Sequence, residues 1–382
     1  MFQKEIRAEY MRGGTSKGVF FLDEDLPKDP TERDQLLLRV IGSPDPYQKQ
    51  VDGMGGATSS TSKVVVLKKS HRADCDVDYL FGAVAIDAPV IDWSGNCGNL
   101  TSAVGPFAVR HGLVDAPENG IATVTIWQQN IGKKIIAKVP VTQGQVQELG
   151  DFQLDGVTFP AAEVVLEFLD AGASDAGGVF PTGQVQEKVA VPGVGEFDVT
   201  MINAGNPHIF ITAEQLGLVG TELPDQFNSN AELLEKCEHI RAFCTVKMGL
   251  AKTPDEATRL RPHTPKLAFV SPPKTYVASS GATVDQSKTD MVARILSMGK
   301  LHHAMTGTGG VGLAAAAAVR GTVVQQVVGD KAEKGEQITI GHSSGCMAVG
   351  AKAQQDAEGE WEIEKVIMSR SARRLMVGAV LV

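Results

Sequence analysis

Two glycine-rich loops, each followed directly by a run of small residues, constrain this chain more than any other feature of its sequence. Residues 95–99 read GNCGN and lead into a small-residue stretch, and residues 306–310 read TGTGG and lead into residues 313–319, which are nearly all alanine. A helix with so few large side chains must pack closely against its surroundings. The repetition of this loop-to-helix start, once in each half, predicts two similar domains.

The length of the chain also favours two domains. Its 382 residues exceed what a single hydrophobic core usually fills. We expect domains at residues 1–180 and 181–382, with the boundary near residues 172–187, where Asp, Ala, Gly and Pro cluster. The last strand can return to the first domain. The 41 glycines and the 5% of aromatic residues are typical of many short elements joined by tight turns.

Apolar runs and helix-like spacing predict the individual elements, mostly strands with a few helices. Asp29 is the predicted N-cap of a first helix and Pro30 its first residue, whereas the next helix is predicted to be capped within residues 99–101. Helices are predicted at residues 29–41, 99–111, 231–248 and 289–301 and over the alanine run. Strands are predicted at residues 18–22, 63–67, 122–127, 134–139, 164–168, 197–202, 208–212, 267–270, 322–328, 337–341 and 363–368. This mixture indicates an α+β fold.

Composition and charge exclude several classes of function. The formal net charge is -9, from 36 Lys+Arg and 45 Asp+Glu, which disfavours nucleic acid as a partner. A local group of donors can still bind a small anion. The first residues lack the apolar stretch of a signal peptide, and no run reaches the length of a membrane span. The five cysteines are odd in number and widely spaced, and no CxxC or HExxH spacing occurs, so we expect a cytoplasmic protein without disulfides or a bound metal.

Cys97 lies at the predicted start of a helix, between Gly95-Asn96 and Gly98-Asn99. Backbone N–H groups at a helix N-terminus stabilise a thiolate, and they also bind carboxylates. Glycines on either side allow a substrate to approach the backbone. These features favour a reactive cysteine, and the alternative is a buried structural cysteine in a turn.

Two hydroxyl-rich loops carry candidate cationic side chains. The loop GMGGATSSTSK ends in Lys63, just before an apolar strand. A lysine partly withdrawn from water at that position becomes a better base, although a flexible loop with an exposed lysine fits the same residues. In MRGGTSKG, Arg12 and Lys17 flank glycines and hydroxyls. That composition suits carboxylate binding, and a solvated turn explains it equally well.

Three further segments offer polar side chains. The segment GHSSG presents Ser344 as a candidate donor to a carboxylate. His302 and His303 are adjacent, and neighbouring residues on a helix face different ways, so packing rather than metal binding is expected. The segment SRSARR offers Arg370 and Arg373 as candidate anion partners. The alternative for these arginines is a basic surface turn.

Several long segments of the chain together resemble the PrpF family. They lie between residues 11 and 373 and include MRGGTSKGVFF, IGSPDPYQKQVDGMGGATSSTSKVV, VDYLFG, DWSGNCGNLTSAVG, FPTG, SMGKLHHAMTGT, GHSSG and IMSRSAR. The family comprises isomerases of 2-methylaconitate in the 2-methylcitrate route of propionate breakdown. Relatives in the family isomerise 3-methylitaconate or 4-oxalomesaconate.

The resemblance implies a fold like that of diaminopimelate epimerase: two similar domains in a pseudo-twofold arrangement, each a barrel-like sheet around a central helix. It implies that no cofactor is used. Those epimerases act with one cysteine per domain, and Cys97 resembles the first. Thr306 stands where the second would be, and a threonine cannot form a thiolate. In the PrpF-like branch the resemblance assigns the other acid/base role to Lys63.

The loops and the resemblance together define a predicted site. Its catalytic residues are Lys63 and Cys97, and it contains no metal. One departure from the family occurs in the segment GHSSG, where Ser343 replaces the usual proline but both glycines are kept. The predicted substrate-binding residues are Arg12, Ser16, Lys17, Ser59, Ser60, Asn96, Gly98, Asn99, Met305, Thr306, Ser344 and Gly345.

The expected reaction is the transfer of an allylic proton in an unsaturated tricarboxylate. Removing that proton spreads negative charge over a carboxylate, so the enzyme needs a base, an acid and fixed donors. The alternatives are an isomerase of 4-oxalomesaconate or 3-methylitaconate, an amino-acid racemase of the same fold, and a non-catalytic helper of an aconitase-like 2-methylcitrate dehydratase. A homodimer is also considered. The order of proton removal and delivery stays open.

Overall fold

The computed structural model describes residues 3–172 and 177–382 of the chain. The chain divides into two compact units. Unit 1 comprises Met1–Leu166 and Ser369–Val382, and unit 2 comprises Glu167–Met368. Part of the predicted linker, residues 173–176, lies outside the described residues. Among the described residues, no helix is long and apolar enough to span a membrane.

Unit 1 consists mainly of strands around one buried helix. Its helices are α1 (Pro30–Ile41) and α2 (Gly98–Arg110). Its strands are β1 (Glu5–Gly13), β2 (Ser16–Leu22), β3 (Lys63–Lys69), β4 (Val77–Val84), β5 (Ile91–Asp92), β6 (Asn119–Gln128), β7 (Lys133–Thr142) and β8 (Gln145–Val146). Two more strands cross the boundary between the units along the chain, β9 (Glu163–Leu169) and β20 (Trp361–Leu381).

The strands around α2 close into a barrel. The pairings run from β20 through β1, β2, β3, β4, β6, β7 and β9, and β9 pairs again with β20. Strands β2–β3 and β4–β6 are parallel, and β1–β2, β3–β4 and β6–β7 are antiparallel. Helix α2 packs against β1, β2, β6 and β7, and its first eleven residues, through Ala108, are buried. Large side chains on α2 would not fit inside such a barrel.

Unit 2 repeats this order of pairing. Strands β10 to β13, β16, β18, β19 and β20 pair in sequence, with β12–β13 and β16–β18 parallel and the other pairs antiparallel. The buried alanine-rich helix α6 packs against β11, β12 and β19. The remaining strands are β10 (Glu187–Val191), β11 (Gly195–Ala204), β12 (Asn206–Thr212), β13 (Lys266–Ser271), β14 (Tyr276–Val277), β15 (Thr283–Val284), β16 (Met291–Ser297), β17 (Lys300–Leu301), β18 (Ile338–His342) and β19 (Gly345–Gln355). The helices are α3 (Pro224–Asn228), α4 (Ala231–Lys247), α5 (Pro254–Leu260), α6 (Gly307–Ala317) and α7 (Val323–Val328). Two similar halves, each a sheet around a central helix, were predicted, and this prediction is confirmed.

Three local predictions were wrong. Residues 289–301, predicted as a helix, form strands β16 and β17, so His302 and His303 do not lie on a helix either. Residues 322–328, predicted as a strand, form α7, because the Thr322 hydroxyl caps the helix by accepting a hydrogen bond from the Gln325 N–H. The N-cap of α2 is Cys97 and not one of residues 99–101. The first helix is as predicted, since the Asp29 carboxylate accepts from the Glu32 N–H.

Candidate active site

Cys97 begins the central helix of unit 1. As the N-cap of α2, its sulfur accepts a hydrogen bond from the Leu100 N–H at 3.5 Å. Its side chain is only 7% exposed. The thiol therefore lies at the positive end of the helix dipole, beside the backbone N–H groups of the first turn.

The turn between β1 and β2 lies directly against the start of this helix. An added Cβ atom at Gly13 would lie 2.7 Å from the Asn99 carbonyl oxygen. At Gly14, which has a positive φ of 52°, it would lie 2.5 Å from the Asn99 side-chain oxygen. Only glycine allows this approach. The two glycines thus bring the backbone of the turn next to the first turn of α2.

Gly18 brings Lys63 to the same place. An added Cβ at Gly18 would lie 2.7 Å from the Lys63 carbonyl oxygen and 3.1 Å from Lys63 Cβ. It would also lie 3.1 Å from Leu100 Cδ1, in the first turn of α2. Lys63 and Leu100 therefore both lie close against Gly18. The lysine predicted as a catalytic residue is thereby placed beside the helix that begins at Cys97.

The amine of Lys63 is buried without a carboxylate partner. The residue is 4% exposed, and its Nζ lies 5.0 Å from the centre of the Phe81 ring. Among the described residues, the amine forms no ion pair and no side-chain hydrogen bond. Burying an ammonium is costly, so a lysine in this setting is more often functional than structural.

Arg12 and Lys17 add positive charge beside the turn. Arg12 donates to the carbonyl oxygens of Gly14 at 3.0 Å and Ser371 at 2.9 Å. Burial, and then the charge of Arg373, lower the pKa of Arg12 to about 10. The Lys17 amine lies 5.3 Å from the centre of a tyrosine ring. Neither residue forms an ion pair with any described carboxylate.

The other predicted residues of unit 1 line the same region to different degrees. The Lys17 N–H donates to the Ser60 carbonyl at 3.0 Å, which joins the two hydroxyl-rich loops. The Asn96 side-chain oxygen accepts from the Thr101 hydroxyl at 3.3 Å. Ser16, Ser60, Asn96, Gly98 and Asn99 are buried, and Ser59 is half-buried. The structure thus gathers the three predicted loops of unit 1 around the start of α2.

Unit 2 gathers its own predicted residues around the start of α6. Thr306 is the N-cap of this helix, and its hydroxyl accepts from the Gly309 N–H at 3.0 Å. Met305 precedes it and is 2% exposed. The Ser344 hydroxyl donates to the His303 carbonyl oxygen, which holds Ser344 and Gly345 near this segment. Thr306 therefore occupies in unit 2 the capping position that Cys97 occupies in unit 1.

The repeat also supplies a second lysine, which sequence reasoning missed. Lys266 begins β13 as Lys63 begins β3. Its Nζ donates to the His263 carbonyl at 3.1 Å and to the Ser297 hydroxyl at 3.2 Å. Burial, and then the charge of Lys266, lower the pKa of His208 to about 3. Lys266 is therefore held by hydrogen bonds to its neighbours, whereas Lys63 makes no such hydrogen bond with a described residue.

Tyr79 is a further residue beside Cys97 that the sequence did not reveal. Its side chain is fully buried, and its hydroxyl makes no hydrogen bond of normal geometry with the described residues. Burial, and then the neighbouring Cys97, raise the pKa of Tyr79 well above its ordinary value. The described residues contain no group of three or more His, Cys, Asp or Glu side chains that could hold a metal ion.

Comparison with known proteins identifies the family of this chain. The family model described as "PrpF protein" matches residues 3–382. The chain belongs to the PrpF family. It is 59% identical to the 2-methyl-aconitate isomerase of Shewanella oneidensis, over 100% of this chain and 97% of that protein. It is 57% identical to the 2-methyl-aconitate isomerase of Cupriavidus necator, over 100% and 98% of the two chains.

Solved structures confirm the PrpF fold. The crystal structure of methylitaconate-delta-isomerase matches with a TM-score of 0.77 and 39% identity, over 100% of this chain and 96% of that one. A hydroxyproline epimerase from Agrobacterium vitis matches with a TM-score of 0.58 and 12% identity, over 99% and 93% of the two chains. The second likeness shows the epimerase-like fold alone.

Proposed function

We propose that this PrpF-family chain is a cofactor-independent isomerase of 2-methylaconitate. Lys63 and Cys97 exchange the allylic proton in this proposal. The observation that carries it is the buried Lys63 amine, which has no carboxylate partner among the described residues and lies beside the helix capped by Cys97. The full-length similarity to two 2-methyl-aconitate isomerases supports this choice of substrate.

The site has the groups that an allylic proton transfer requires. Lys63 and Cys97 are each able to carry a proton. The N–H groups at the start of α2 and the guanidinium of Arg12 are donors that favour the charge developing on the substrate. Because Arg12 and Lys63 have no described carboxylate partner, a polycarboxylate ligand would supply the missing negative charge. The remaining predicted substrate-binding residues, including those of unit 2, are part of this proposal.

A turnover assay tests the proposed function. The purified protein, treated with EDTA, is mixed with 2-methylaconitate in D₂O and followed by proton NMR. We expect isomerisation with incorporation of deuterium at the allylic carbon, unless the moved proton is shielded from solvent. 4-Oxalomesaconate and 3-methylitaconate are run in parallel, and faster turnover of either would replace 2-methylaconitate as the substrate. Loss of activity with EDTA, restored by one divalent metal, would contradict cofactor-free action.

The proposed partners are tested separately. An inactive protein that is captured by an aconitase-like 2-methylcitrate dehydratase would support the helper hypothesis instead of the isomerase. Amino-acid racemisation is not expected, because Thr306 caps α6 where a second thiol would be needed.

We also propose that the protein is a cytoplasmic homodimer in propionate breakdown. Light scattering of the purified protein tests its oligomeric state, and the growth of a deletion strain on propionate tests the pathway.

A further inference from the structure

Three side chains of unit 1 form a chain of hydrogen bonds that ends at the turn between β1 and β2. The Arg370 Nε donates to the Asn99 side-chain oxygen at 3.2 Å. The Asn99 side-chain nitrogen donates to the Thr15 hydroxyl oxygen at 2.9 Å. Arg370 is 2% exposed and Asn99 is 1% exposed. The first two links of the chain are thus withdrawn from water.

The direction of donation along this chain is fixed by Arg370. A guanidinium donates hydrogen bonds and cannot accept them, so the carbonyl end of the Asn99 amide must face it. The NH₂ end of Asn99 then faces Thr15, whose oxygen becomes the acceptor. The Thr15 hydroxyl hydrogen is left to point elsewhere, and Thr15 makes no other side-chain hydrogen bond with a described residue. The Thr15 hydroxyl can therefore donate its hydrogen to a ligand.

The surroundings of Thr15 suit an anion. Thr15 is half-buried and lies between the cationic residues Arg12 and Lys17 along the turn. The turn is anchored to β20, since the Gly14 N–H donates to the Ser371 carbonyl at 2.9 Å. The hydroxyl is therefore held on an anchored turn that carries two cationic residues close to it in the sequence.

We propose that Thr15 donates a hydrogen bond to a carboxylate of the substrate, and that Arg370 is the positioning residue that fixes it as a donor. This inference rests on the proposed function, because it names residues of the same site. It differs from the role predicted for Arg370 by the sequence: the arginine acts through Asn99 and Thr15 and not by direct contact with the anion.

Binding of trans-aconitate to the purified protein, measured by calorimetry, tests this inference. Hydrogen bonds to charged groups contribute more to binding than neutral ones do. Thr15→Val, which removes this donor, should therefore raise the Kd about tenfold to a hundredfold. Thr15→Ser keeps the hydroxyl and is the matched control, with a Kd within about threefold of wild type. Arg370→Met should raise the Kd as Thr15→Val does, because the Asn99 amide can then reverse and accept the Thr15 hydrogen.

The combination of changes separates positioning from other roles of Arg370. If Arg370 acts through Thr15, the double variant Thr15→Val/Arg370→Met binds no more weakly than Thr15→Val alone. Arg370→Gln removes the charge but keeps a donor toward Asn99, so it should bind nearly as wild type does. Additive losses in the double variant, or equal losses in Arg370→Gln and Arg370→Met, would overturn the inference.

Two controls keep the outcome clear. If thermal unfolding shows that Arg370→Met does not fold, Asn99→Ala replaces it, because it removes the amide that orients the Thr15 hydroxyl without adding a charge. Asn99→Ala should raise the Kd only when Thr15 is present. Failure of the proposed function is seen separately, as tight binding of trans-aconitate by wild type without turnover of 2-methylaconitate. The binding comparison among the variants stands in that case, because it needs no catalysis.

Discussion

Lys63→Met is expected to stabilise the protein and to abolish most of its activity. The substitution keeps an unbranched side chain of similar length and removes the buried amine. Removing a side chain that serves only the fold should lower the stability of the protein. Removing the Lys63 amine should instead raise the stability, because the residue is 4% exposed and has no ion-pair partner among the described residues.

The size of the effect follows from two opposing contributions. Holding an ammonium away from water costs several kcal/mol in real proteins. The contact with the Phe81 ring, at 5.0 Å, recovers about 0.5–2 kcal/mol of this. A net gain of about 1–3 kcal/mol in the free energy of unfolding is therefore expected for Lys63→Met. For a unit of this size each kcal/mol raises the Tm by about 2–4 °C.

Calorimetric unfolding and steady-state kinetics of the same preparation measure the two effects. We expect kcat to fall by about 10²–10⁴, the usual contribution of a general acid or base. Lys69→Met is the matched control, because Lys69 lies on the same strand and is exposed. It should change neither Tm nor kcat. A Lys63→Met variant that is less stable than wild type, or that keeps its kcat, would refute the reasoning.

Three further changes probe other parts of unit 1. Cys97→Ser should lower kcat by about 10²–10⁴ while the helix stays capped, as shown by kinetics and an unchanged Tm, since serine is a good N-cap. Gly18→Ala should destabilise by about 1–3 kcal/mol in denaturant unfolding, because its Cβ would overlap the backbone of β3. Gly350→Ala, with nothing within 4 Å of the added Cβ, is its control. Burial raises the pKa of Glu9, but its hydrogen bond with His111 and nearby arginine charges outweigh this and lower it. Ionised Glu9 therefore stabilises the folded state fully above the unfolded pKa of about 4.3, and this stabilisation is lost as the pH falls through the folded pKa. Glu9→Gln should therefore be less stable than wild type at pH 7 and equally stable in acid, as measured by thermal unfolding.

The fold was predictable because its strongest constraint is local in sequence. The GNCGN and TGTGG loops and the small residues after them indicate two tightly packed helices without any knowledge of their partners. The exact start of α2 was missed because cysteine is not among the usual capping residues, yet Cys97 accepts the capping hydrogen bond.

Two segments were assigned the wrong type of element for a shared physical reason. All seven residues of β16 are buried, so the segment shows no alternation, and its Met, Ala, Arg and Leu residues favour helices when considered alone. Helix α7 consists of valines and glutamines that favour a strand, but the Thr322 cap and its packing against β12 decide the outcome. A run of only six or seven residues does not reveal its periodicity, so only the tertiary contacts distinguish the two structures.

The contacts that define the candidate site are long-range and were beyond sequence reasoning. Arg370 and Asn99 are 271 positions apart in the chain. The difference between Lys63 and Lys266 depends on the Ser297 hydroxyl, which reaches the second lysine from another strand. Most of the chemical groups proposed for the site were named from the sequence, while their hydrogen-bonding partners required the structure.

The position of β20 in the barrel has a consequence for biosynthesis. Strand β1 pairs with β20 from Glu5–Leu381 to Gly13–Ala372, so the barrel of unit 1 closes only after all of unit 2 has been translated. At 5–20 residues per second, the roughly 360 residues that separate Gly13 from Ala372 take about 20–70 s to synthesise. During that time the nascent β1 has an unpaired edge that chaperones or other chains can bind. Arg370 and Ser371 lie on the same late strand, so the backbone hydrogen bond that anchors the turn between β1 and β2 also forms only after unit 2 has been translated.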